Sequence, residues 1–253
     1  MRTTASRTRL RTWRSPRRLL SSMLAVTTLV GAALAATAAP AQAATTPGID
    51  VSHYQGAINW TSVRNAGIQW AYIKATEGTT FKDSRFNTNY PAAHGAGVIR
   101  GAYHFARPAA SSGAAQANYF ASNGGAWSAD NLTLPGALDL EAGCHGLSQS
   151  AMVAWIRDFL NTYRSRTGRH AVIYTTTSWW TSCTGNYSGF ASTSPLWIAR
   201  WASAPGALPA GWGFYTMWQY TSTGSVSGIS GAVDRDWFNG TRARLLALAN
   251  NTA

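Results

Sequence analysis

Short apolar segments alternate with helix-like segments from about residue 44 onward, and this alternation constrains the fold more than any other feature. The apolar segments have the length and composition of buried strands. They lie at 48–52, 70–75, 98–105, 137–140 and 171–175. Helical patterns stand between them at 60–66, 84–94, 114–122 and 150–167. Because strands joined through helices run parallel, the pattern predicts a parallel sheet.

The pattern changes after Arg169. Three further strand-like segments, at 196–201, 214–220 and 233–238, follow one another through loops rich in Gly, Ser and Pro, and only 241–249 is helical again. Five strand-helix units followed by three bare strands would close a barrel of eight, in a chain shorter than the usual (β/α)8 domain of about 250 residues. The sequence therefore predicts a single α/β domain, a truncated TIM-like barrel.

The first 43 residues have the composition of a secretory signal peptide. Residues 1–18 hold seven arginines and no acid, residues 19–39 are almost wholly apolar or small, and Ala41-Gln42-Ala43 fits a cleavage site. We expect a leader over 1–43, a mature domain over 44–253, and secretion to the outside of the cell. A retained membrane anchor is the alternative, and Arg17-Arg18 leaves the twin-arginine route open beside the general one.

Removal of this leader changes the charge balance. The full chain has 21 Lys plus Arg against 9 Asp plus Glu, and without the seven leader arginines 14 basic residues remain, an excess of five. That excess suits an anionic polymer such as bacterial cell wall, but no Lys/Arg stripe of the kind that binds nucleic acid is present. We expect a monomer with no nucleic-acid partner and no membrane contact after cleavage.

The chain has two cysteines, Cys144 and Cys183. In an oxidising compartment an even number of cysteines favours pairing, so one disulfide is predicted, with two buried free thiols as the alternative. Neither cysteine belongs to a Cys-x-x-Cys or His-x-x-x-His pattern typical of zinc sites. No metal and no cofactor are expected.

Acidic residues are rare and stand where predicted strands end. Of nine Asp and Glu residues, four have this position, Asp50, Glu77, Asp139 and Glu141, and a fifth, Asp234, stands at the start of the last predicted strand. Such strand ends meet at one rim of a barrel, where catalytic groups are usually found. Asp139 and Glu141 are two residues apart, so they point to the same face about 7 Å apart at Cα. Repulsion and burial would raise the pKa of one, and Glu141, with the longer side chain, is the better proton donor to a departing sugar oxygen.

Each acid also has a structural interpretation. Asp50 could cap a turn, and Glu77 could bind loop amides. Asp139 and Glu141 could form ion pairs on a surface strand, but apolar flanking residues indicate a buried strand, where two unpaired charges are costly. Asp234 could belong to an ion-pair cluster with the Arg and Asp that follow it.

Aromatic side chains near the strand ends would complete a sugar site, because the apolar faces of sugar rings stack on Trp and Tyr. The aromatic candidates for substrate binding are Tyr54, Tyr72, Tyr103, Trp201 and Tyr220, and the polar candidates are Gln219 and the acid Glu77. Core packing is an equally good interpretation of each aromatic, since the chain has 12 Trp and 10 Tyr. No Gly-x-Ser-x-Gly motif supplies a serine nucleophile for the nearby histidines.

Seven motifs follow one another along the chain. They are Gly48-Ile-Asp-Val-Ser-His-Tyr-Gln-Gly, Ile73-Lys-Ala-Thr-Glu-Gly-Thr-Thr, Gly101-Ala-Tyr-His-Phe, Leu138-Asp-Leu-Glu, Pro195-Leu-Trp-Ile-Ala, Trp218-Gln-Tyr and Val233-Asp. Together they resemble the Chalaropsis-type lysozymes of glycoside hydrolase family 25. The resemblance implies a (β/α)5(β)3 barrel and hydrolysis of the β-1,4 bond between N-acetylmuramic acid and N-acetylglucosamine. Peptidoglycan glycan strands are then the expected partner.

The resemblance also implies residue roles. Glu141 matches the family's catalytic acid, and Asp50, Asp139 and Asp234 match its other active-site acids. The Asp-x-Glu arrangement favours a route in which the acetamido group of the substrate assists. We expect Glu141 to protonate the glycosidic oxygen and then activate water, while Asp139 orients the acetamido group.

Two other classes of protein stay open. A chitinase or endo-N-acetylglucosaminidase also uses Asp-x-Glu at a strand end, but residues 134–141 lack the earlier acids of the Asp-x-x-Asp-x-Asp-x-Glu signature. A catalytically silent wall-binding protein would bind peptidoglycan without releasing reducing ends, and the intact acid set disfavours it.

Overall fold

Strands and helices alternate along residues 44–252, which are the residues that the computed structural model describes. The expected leader, residues 1–43, lies outside them. In chain order the elements are β1 (Thr46–Val51), α1 (Trp60–Asn65), β2 (Trp70–Glu77), β3 (Phe81–Lys82), α2 (Phe86–Gly95), β4 (Ile99–Phe105), α3 (Gly113–Phe120), β5 (Ala137–Leu140), α4 (Gln149–Thr167), β6 (Val172–Thr175), α5 (Thr177–Thr184), β7 (Leu196–Ala199), β8 (Met217–Gly224), β9 (Val233–Phe238) and α6 (Arg242–Asn250). None of the helices within 44–252 is both long and apolar enough to cross a membrane.

The strands close into a barrel. Within residues 44–252 nine strands form one sheet, and all except the two-residue β3 belong to the closed circle. Neighbours run parallel from β1 through β2 and β4 to β8, whereas β9 pairs antiparallel with both β8 and β1. β9 runs the other way because a loop without a helix joins it to β8, and such a short connection reverses the chain. The predicted TIM-like (β/α)5(β)3 barrel is confirmed.

The fifth helix, α5, completes the fifth predicted strand-helix unit, although no helical pattern in the sequence marks its position. Its residues are mainly Thr, Ser, Trp and Cys, which are mediocre helix formers. The Thr176 hydroxyl accepts the Trp179 N–H at 3.1 Å as a cap, and Gly185 ends the helix with φ of 66°. The fully buried Trp180 packs against Phe190 and Trp212. Capping and tertiary packing therefore form this helix where intrinsic propensity does not.

Alternate residues of each strand face opposite sides of the barrel wall. Those facing outward pack on the helices, of which α4 buries the longest apolar face: Met152, Val153, Trp155, Ile156, Phe159, Leu160 and Tyr163. Those facing inward form a second cluster, which includes Trp70, Tyr72, Ile99, Val172, Trp197, Met217 and Phe238. This inner cluster occupies the end of the barrel where the parallel strands begin, called here the floor. The opposite end, where they finish, is called the mouth.

Glycines make room for the large side chains of the floor. A Cβ atom at Gly48 would overlap the ring of Trp70, and one at Gly101 would overlap the ring of Tyr72. The space freed by these two positions is filled by aromatic rings, of which Tyr72 stacks on Trp197 with centroids 4.8 Å apart. The barrel is therefore a packed core at this end.

Helix α6 covers the floor. Its buried Leu245 and Ala249 join the inner cluster. The Arg169 guanidinium donates to the carbonyls of Leu248 and Ala249 at 2.6 and 3.2 Å, and Trp127 Nε1 donates to Ala249 at 2.9 Å. These donors satisfy carbonyls that the end of a helix leaves unpaired. Access to the barrel interior is consequently from the mouth.

Candidate active site

A cavity of about 460 Å³ opens at the mouth of the barrel. Four of the five acids expected at the rim, Asp50, Asp139, Glu141 and Asp234, line it. The other predicted site residues that line it are Tyr54, Tyr103, Trp201 and Gln219. The barrel thus gathers side chains that are up to 184 positions apart in the sequence.

The turn after β1 sets one edge of this cavity. The Ser52 side chain caps a short 3₁₀ turn over His53–Gln55, and the Gln55 side chain in return accepts the Ser52 N–H at 2.9 Å. This reciprocal pair bends the chain immediately after Asp50. It leaves Tyr54 on the rim with 83% of its surface exposed.

Gln219 on β8 joins three cavity residues through its amide. Its Nε2 donates to Oδ2 of Asp50 at 2.8 Å. Its Oε1 accepts the Tyr174 hydroxyl at 3.0 Å and the Trp201 indole N–H at 2.9 Å. The amide nitrogen donates to one partner and the amide oxygen accepts from the other two, so the network fixes both the orientation of the amide and the position of the Asp50 carboxyl.

Asp139 and Glu141 stand side by side at the end of β5. Leu138 and Leu140 point outward into the core between the barrel and its helices. Asp139 and Glu141, at the alternate positions, therefore face the cavity. Asp139 is buried, and its Oδ1 has no hydrogen-bond partner among the described residues. Burial and the neighbouring Glu141 raise the pKa of Asp139 well above its usual range. Partial burial also raises the pKa of Glu141, against the opposing charge of Lys74.

Two further carboxyls on the opposite wall have raised pKa values. Burial raises the pKa of Asp50, and the nearby Asp236 and Asp234 raise it further. Partial burial and the charge of Glu141 raise the pKa of Asp234 to about 6. The cavity is therefore poor in counter-charge, and its acids hold protons at pH values where an exposed carboxyl would have lost them.

Glu77, the fifth acid of the rim, does not line the cavity. Its Oε2 accepts from Lys74 Nζ at 2.7 Å, and its Oε1 accepts from the Arg107 guanidinium at 2.6 and 2.8 Å. These hydrogen bonds lower the pKa of Glu77 in spite of the opposing effect of partial burial. Glu77 thus holds the side chain of Lys74, which is buried and is the cation in the cavity lining.

Tyr72 and Tyr220 also lie outside the cavity lining. Tyr72 is fully buried in the floor, and its hydroxyl donates to the Pro135 carbonyl at 2.8 Å. Tyr220 is half-buried and stacks on Trp237 with centroids 5.3 Å apart. The structure does not bring either ring to the cavity.

Four residues that the sequence interpretation left out belong to the site or touch it. Lys74, Tyr174 and Trp197 line the cavity, and Asp236 accepts the Trp197 indole N–H at 2.8 Å. Two of them could have been found from strand alternation, because Lys74 is two positions after Tyr72 and Asp236 is two positions after Asp234. Such spacing places both members on one face of a strand.

A second cavity, of about 480 Å³, adjoins the first. The two share Glu141, Tyr174 and Trp201. Hydroxyl groups of residues 176–178 and the side chain of Arg200 line its far side. Together the two cavities form one groove, and Glu141 lies where they meet.

The predicted disulfide is present between Cys144 and Cys183, whose Cα atoms are 5.1 Å apart. It joins the loop that begins at Glu141 to helix α5. Trp179 Nε1 adds a hydrogen bond to the Gly143 carbonyl at 3.2 Å. The loop is therefore attached to α5 at two points just beyond the acid.

Among residues 44–252, no group of three or more His, Cys, Asp and Glu side chains is arranged to hold a metal ion. The chemistry that the site residues themselves offer is that of carboxyl groups with separated pKa values, which can donate, accept and stabilise charge.

Comparisons with known proteins agree on one family. The sequence model described as Glycosyl hydrolases family 25 matches residues 49–229. Lysozyme M1 of Streptomyces globisporus is 60% identical over 222 residues, which are 86% of this chain and 76% of that protein. An N,O-diacetylmuramidase of Arthroderma benhamiae is 47% identical over 226 residues, 87% of this chain and 94% of that protein. The crystal structure of the bacterial lysozyme from Streptomyces coelicolor superposes with a TM-score of 0.81 at 60% identity, over 84% of this chain and all of that one.

Proposed function

The chain belongs to glycosyl hydrolase family 25 and is a lysozyme-type glycoside hydrolase; from this premise we propose which bond it cuts and with which residues. The bond is the β-1,4 linkage between N-acetylmuramic acid and N-acetylglucosamine in bacterial peptidoglycan. The observation that carries the proposal is the pair Asp139 and Glu141 in the centre of an open polar groove, with Asp50 and Asp234 on the facing wall.

Glu141 acts as the general acid and base. Partial burial raises its pKa, which favours a protonated carboxyl, and it lies where the two cavities meet, a position suited to a proton donor for a glycosidic oxygen. It gives its proton to the departing sugar and then takes one from the incoming water. The two acids do not ionise independently, because each charge disfavours the other. In the proposed reaction the proton lies on Glu141 and the charge on Asp139 once the glycan is bound.

Asp139 orients the 2-acetamido group. Its buried Oδ1 lacks a partner within the described residues, and an acetamido N–H is a donor that would satisfy it. The acetamido carbonyl oxygen then attacks the anomeric carbon while the bond to the leaving oxygen breaks, and Asp139 stabilises the positive charge on the ring that forms. Water opens that ring with retention of configuration. Covalent labelling of Asp50 by a fluorinated sugar would contradict this route.

Aromatic and amide groups bind the glycan on both sides of the acids. Tyr54 and Trp201 are largely exposed, with 83% and 65% of their surfaces open to solvent, and present ring faces at the groove. Tyr103 and Gln219 lie deeper in the same cavity. Tyr72 and Tyr220 take no part in binding in this proposal, since neither reaches the cavity.

Mass spectrometry of fragments from purified peptidoglycan tests the proposed bond. A muramidase releases fragments whose reducing end is N-acetylmuramic acid. N-acetylglucosamine at the reducing end, or free stem peptides, would show a glucosaminidase or an amidase instead. Chitin serves as the control substrate, because the release of soluble oligomers from it would support the chitinase alternative. Binding to the wall without new reducing ends would indicate a catalytically silent protein.

We further propose that residues 1–43 are a cleaved leader and that the mature enzyme acts outside the cell as a monomer. The basis is the arginine-rich start, the apolar stretch after it and the Ala41-Gln42-Ala43 triplet. Intact mass of the protein from culture medium should correspond to a chain that starts at Ala44. A full-length chain found in the membrane fraction would indicate an anchor.

A further inference from the structure

The two cavities of the groove differ in charge. Four carboxyls line the first, and its cation, Lys74, is already paired with Glu77. The charged residues that line the second are Glu141, where the cavities meet, and Arg200 on the far side. Within residues 44–252 no carboxylate lies at ion-pair distance from the Arg200 guanidinium. The far side of the second cavity is therefore the part of the groove that favours an anion.

The position of Arg200 is fixed by its neighbours. Its N–H donates to the Gln219 carbonyl at 3.0 Å, and its own carbonyl accepts the Trp218 indole N–H at 2.8 Å. Its guanidinium lies against the Cα atom of Gly206, where a Cβ atom would overlap Nη1 and Cζ of the arginine. Gly206 has φ of +69°, a conformation that glycine adopts without strain. The loop is thus shaped around this side chain.

Hydroxyl groups stand on the same wall. Thr177 Oγ1 donates to the carbonyl of Ala207, the residue after Gly206, at 2.7 Å. The hydroxyls of Thr176 and Ser178 are 3.1 Å from each other and also line this cavity. The wall therefore combines a charged, forked donor with neutral groups that can donate or accept.

Peptidoglycan offers a matching anion. Each muramic acid carries a lactyl ether that ends in a carboxyl group, either free or extended by a peptide with carboxylates of its own, whereas N-acetylglucosamine has no such group. A guanidinium binds a carboxylate through two parallel hydrogen bonds.

We propose that Arg200 is a specificity-determining residue that binds a carboxylate on the lactyl substituent of a muramic acid in the groove. The inference rests on the proposed function, since it takes peptidoglycan as the polymer that the groove binds. It places the acidic substituent in the second cavity, where it avoids the carboxyls of Asp50, Asp139 and Asp234. The enzyme then distinguishes the two sugars by charge as well as by shape.

A pair of soluble substrates tests this recognition. Glycan strands stripped of peptide keep the free lactyl carboxylate, and the same strands converted to the carboxamide lose its charge. Wild-type kcat/KM should be about two- to tenfold higher on the free-carboxylate strands, the scale of one solvent-accessible ion pair. Arg200→Gln should reduce this preference to about one. The change should lie in KM, because the ion pair forms in the ground state and the transition state alike.

Arg242→Gln is the matched control, because it removes the same charge from an exposed position on α6. It should keep the wild-type preference. A general folding defect in Arg200→Gln would lower the rates on both substrates alike and leave the preference unchanged. If Arg200→Gln does not fold, Arg200→Lys decides, since it keeps the charge but loses the forked donor. Its preference should lie between one and the wild-type value, and an unchanged preference would overturn the inference.

Peptide-bearing strands, with and without amidated carboxyls, identify the source of the carboxylate. An effect of Arg200→Gln on the peptide-free pair assigns the lactyl carboxylate, and an effect on the peptide-bearing pair alone assigns a peptide carboxylate. No effect on either pair would refute the inference. Mass spectrometry of the same digests keeps the two proposals apart. Muramic acid reducing ends with an unchanged preference refute the role of Arg200 only, whereas other reducing ends refute the proposed function.

Discussion

The floor and the mouth of the barrel are built from the same strands, yet their inward side chains have opposite properties. On β2, Trp70 and Tyr72 pack in the floor and Lys74 lines the cavity. β9 runs in the opposite direction, so its later residue Phe238 lies in the floor and its earlier residue Asp234 lies at the mouth. Successive inward positions on one strand are about 7 Å apart. A single such step is therefore enough to pass from a packed core to a site of chemistry.

The difference shows how the molecule separates stability from activity. Buried aromatic rings, filled glycine positions and the cover of α6 stabilise the floor. The mouth concentrates buried carboxyls whose raised pKa values show that folding makes their ionisation harder. Such groups reduce stability at neutral pH, and in the proposed function they are the groups that carry the reaction. Substitutions at the two ends should therefore change different properties.

The largest effect is expected from Glu141→Gln at the mouth. The variant keeps the shape of the side chain but removes the proton donor, so kcat on purified peptidoglycan should fall by about 10²- to 10⁴-fold. Its thermal midpoint should not decrease, because a partly buried acid is replaced by a neutral amide. Release of reducing ends measures the rate, and calorimetry measures the midpoint. If Glu141→Gln hydrolysed peptidoglycan near the wild-type rate, Glu141 would not be the general acid.

Trp70→Ala in the floor should lower stability and leave the rate unchanged, the opposite of Glu141→Gln. The ring is fully buried and its Nε1 donates to the Thr46 carbonyl at 2.9 Å, so its loss should reduce the free energy of unfolding by about 3–5 kcal/mol. The rate per folded molecule should stay near wild type. Urea unfolding gives the stability, and Tyr54→Ala at the exposed rim is the matched aromatic control. A stable Trp70→Ala protein with low kcat would break the division between the two ends.

Asp234→Asn should change how stability depends on pH. The pKa of Asp234 is about 6 in the folded protein and near 3.8 when unfolded, so folding binds a proton more tightly and wild-type stability falls as pH rises from 3.8 to 6. Linkage sets an upper limit of about 3 kcal/mol for a shift of two pKa units, and partial exposure reduces the expected effect to about 1 kcal/mol. The Asp234→Asn variant has no titrating carboxyl group at this position, so this decrease in stability with rising pH should be absent.

Urea unfolding of wild type and Asp234→Asn at pH 4 and pH 7 measures this pH dependence of the free energy of unfolding. Relative to wild type, Asp234→Asn should gain stability at pH 7 and gain little at pH 4. Asp158→Asn on the surface of α4 is the control, and it should show no such difference. A gain that is equal at both pH values would mean that Asp234 does not hold an extra proton in the folded state.

The smallest effect is expected from two exposed aromatics at opposite ends. Trp201, 65% exposed, lines the groove, whereas Phe214, 68% exposed, precedes β8 on the floor side. Loss of one stacking ring costs about 0.5–1.5 kcal/mol, so Trp201→Ala should raise KM for soluble glycan fragments by roughly 2- to 12-fold. Phe214→Ala should leave KM unchanged. Equal effects of the two variants would show that the groove does not bind the glycan through Trp201.

The barrel was predictable because a short apolar segment marks each of its eight strands, and helical segments or turn residues separate them. What such segments cannot give is the depth of each side chain along the barrel. Tyr72 and Lys74 share the inward face of β2, but the stagger of neighbouring strands decides that one ring lies in the floor and the ammonium group at the mouth. The stagger is a tertiary property. It explains why Tyr72 was expected at the rim and why Lys74 was overlooked.

Other features depended on contacts that no local pattern contains. Helix α5 forms through its cap and the packing of Trp180, although its residues favour helix only weakly. Asp236 has an apparent ion-pair partner in the adjacent Arg235, yet strand alternation sends the two side chains to opposite faces. The acids at the strand ends were recognisable because the chain has so few others.

The attachment of the Glu141 loop to α5 has a practical consequence for anyone who produces this enzyme. Asp139 belongs to a strand that its neighbours hold on both sides, whereas Glu141 stands on the loop that the Cys144–Cys183 bond secures. Protein made in a reducing cytosol would lack this crosslink, which joins residues 39 positions apart, so it should be less stable by about 2–4 kcal/mol and should hold the Glu141 loop less firmly. Batches should therefore be compared by thiol content as well as by purity.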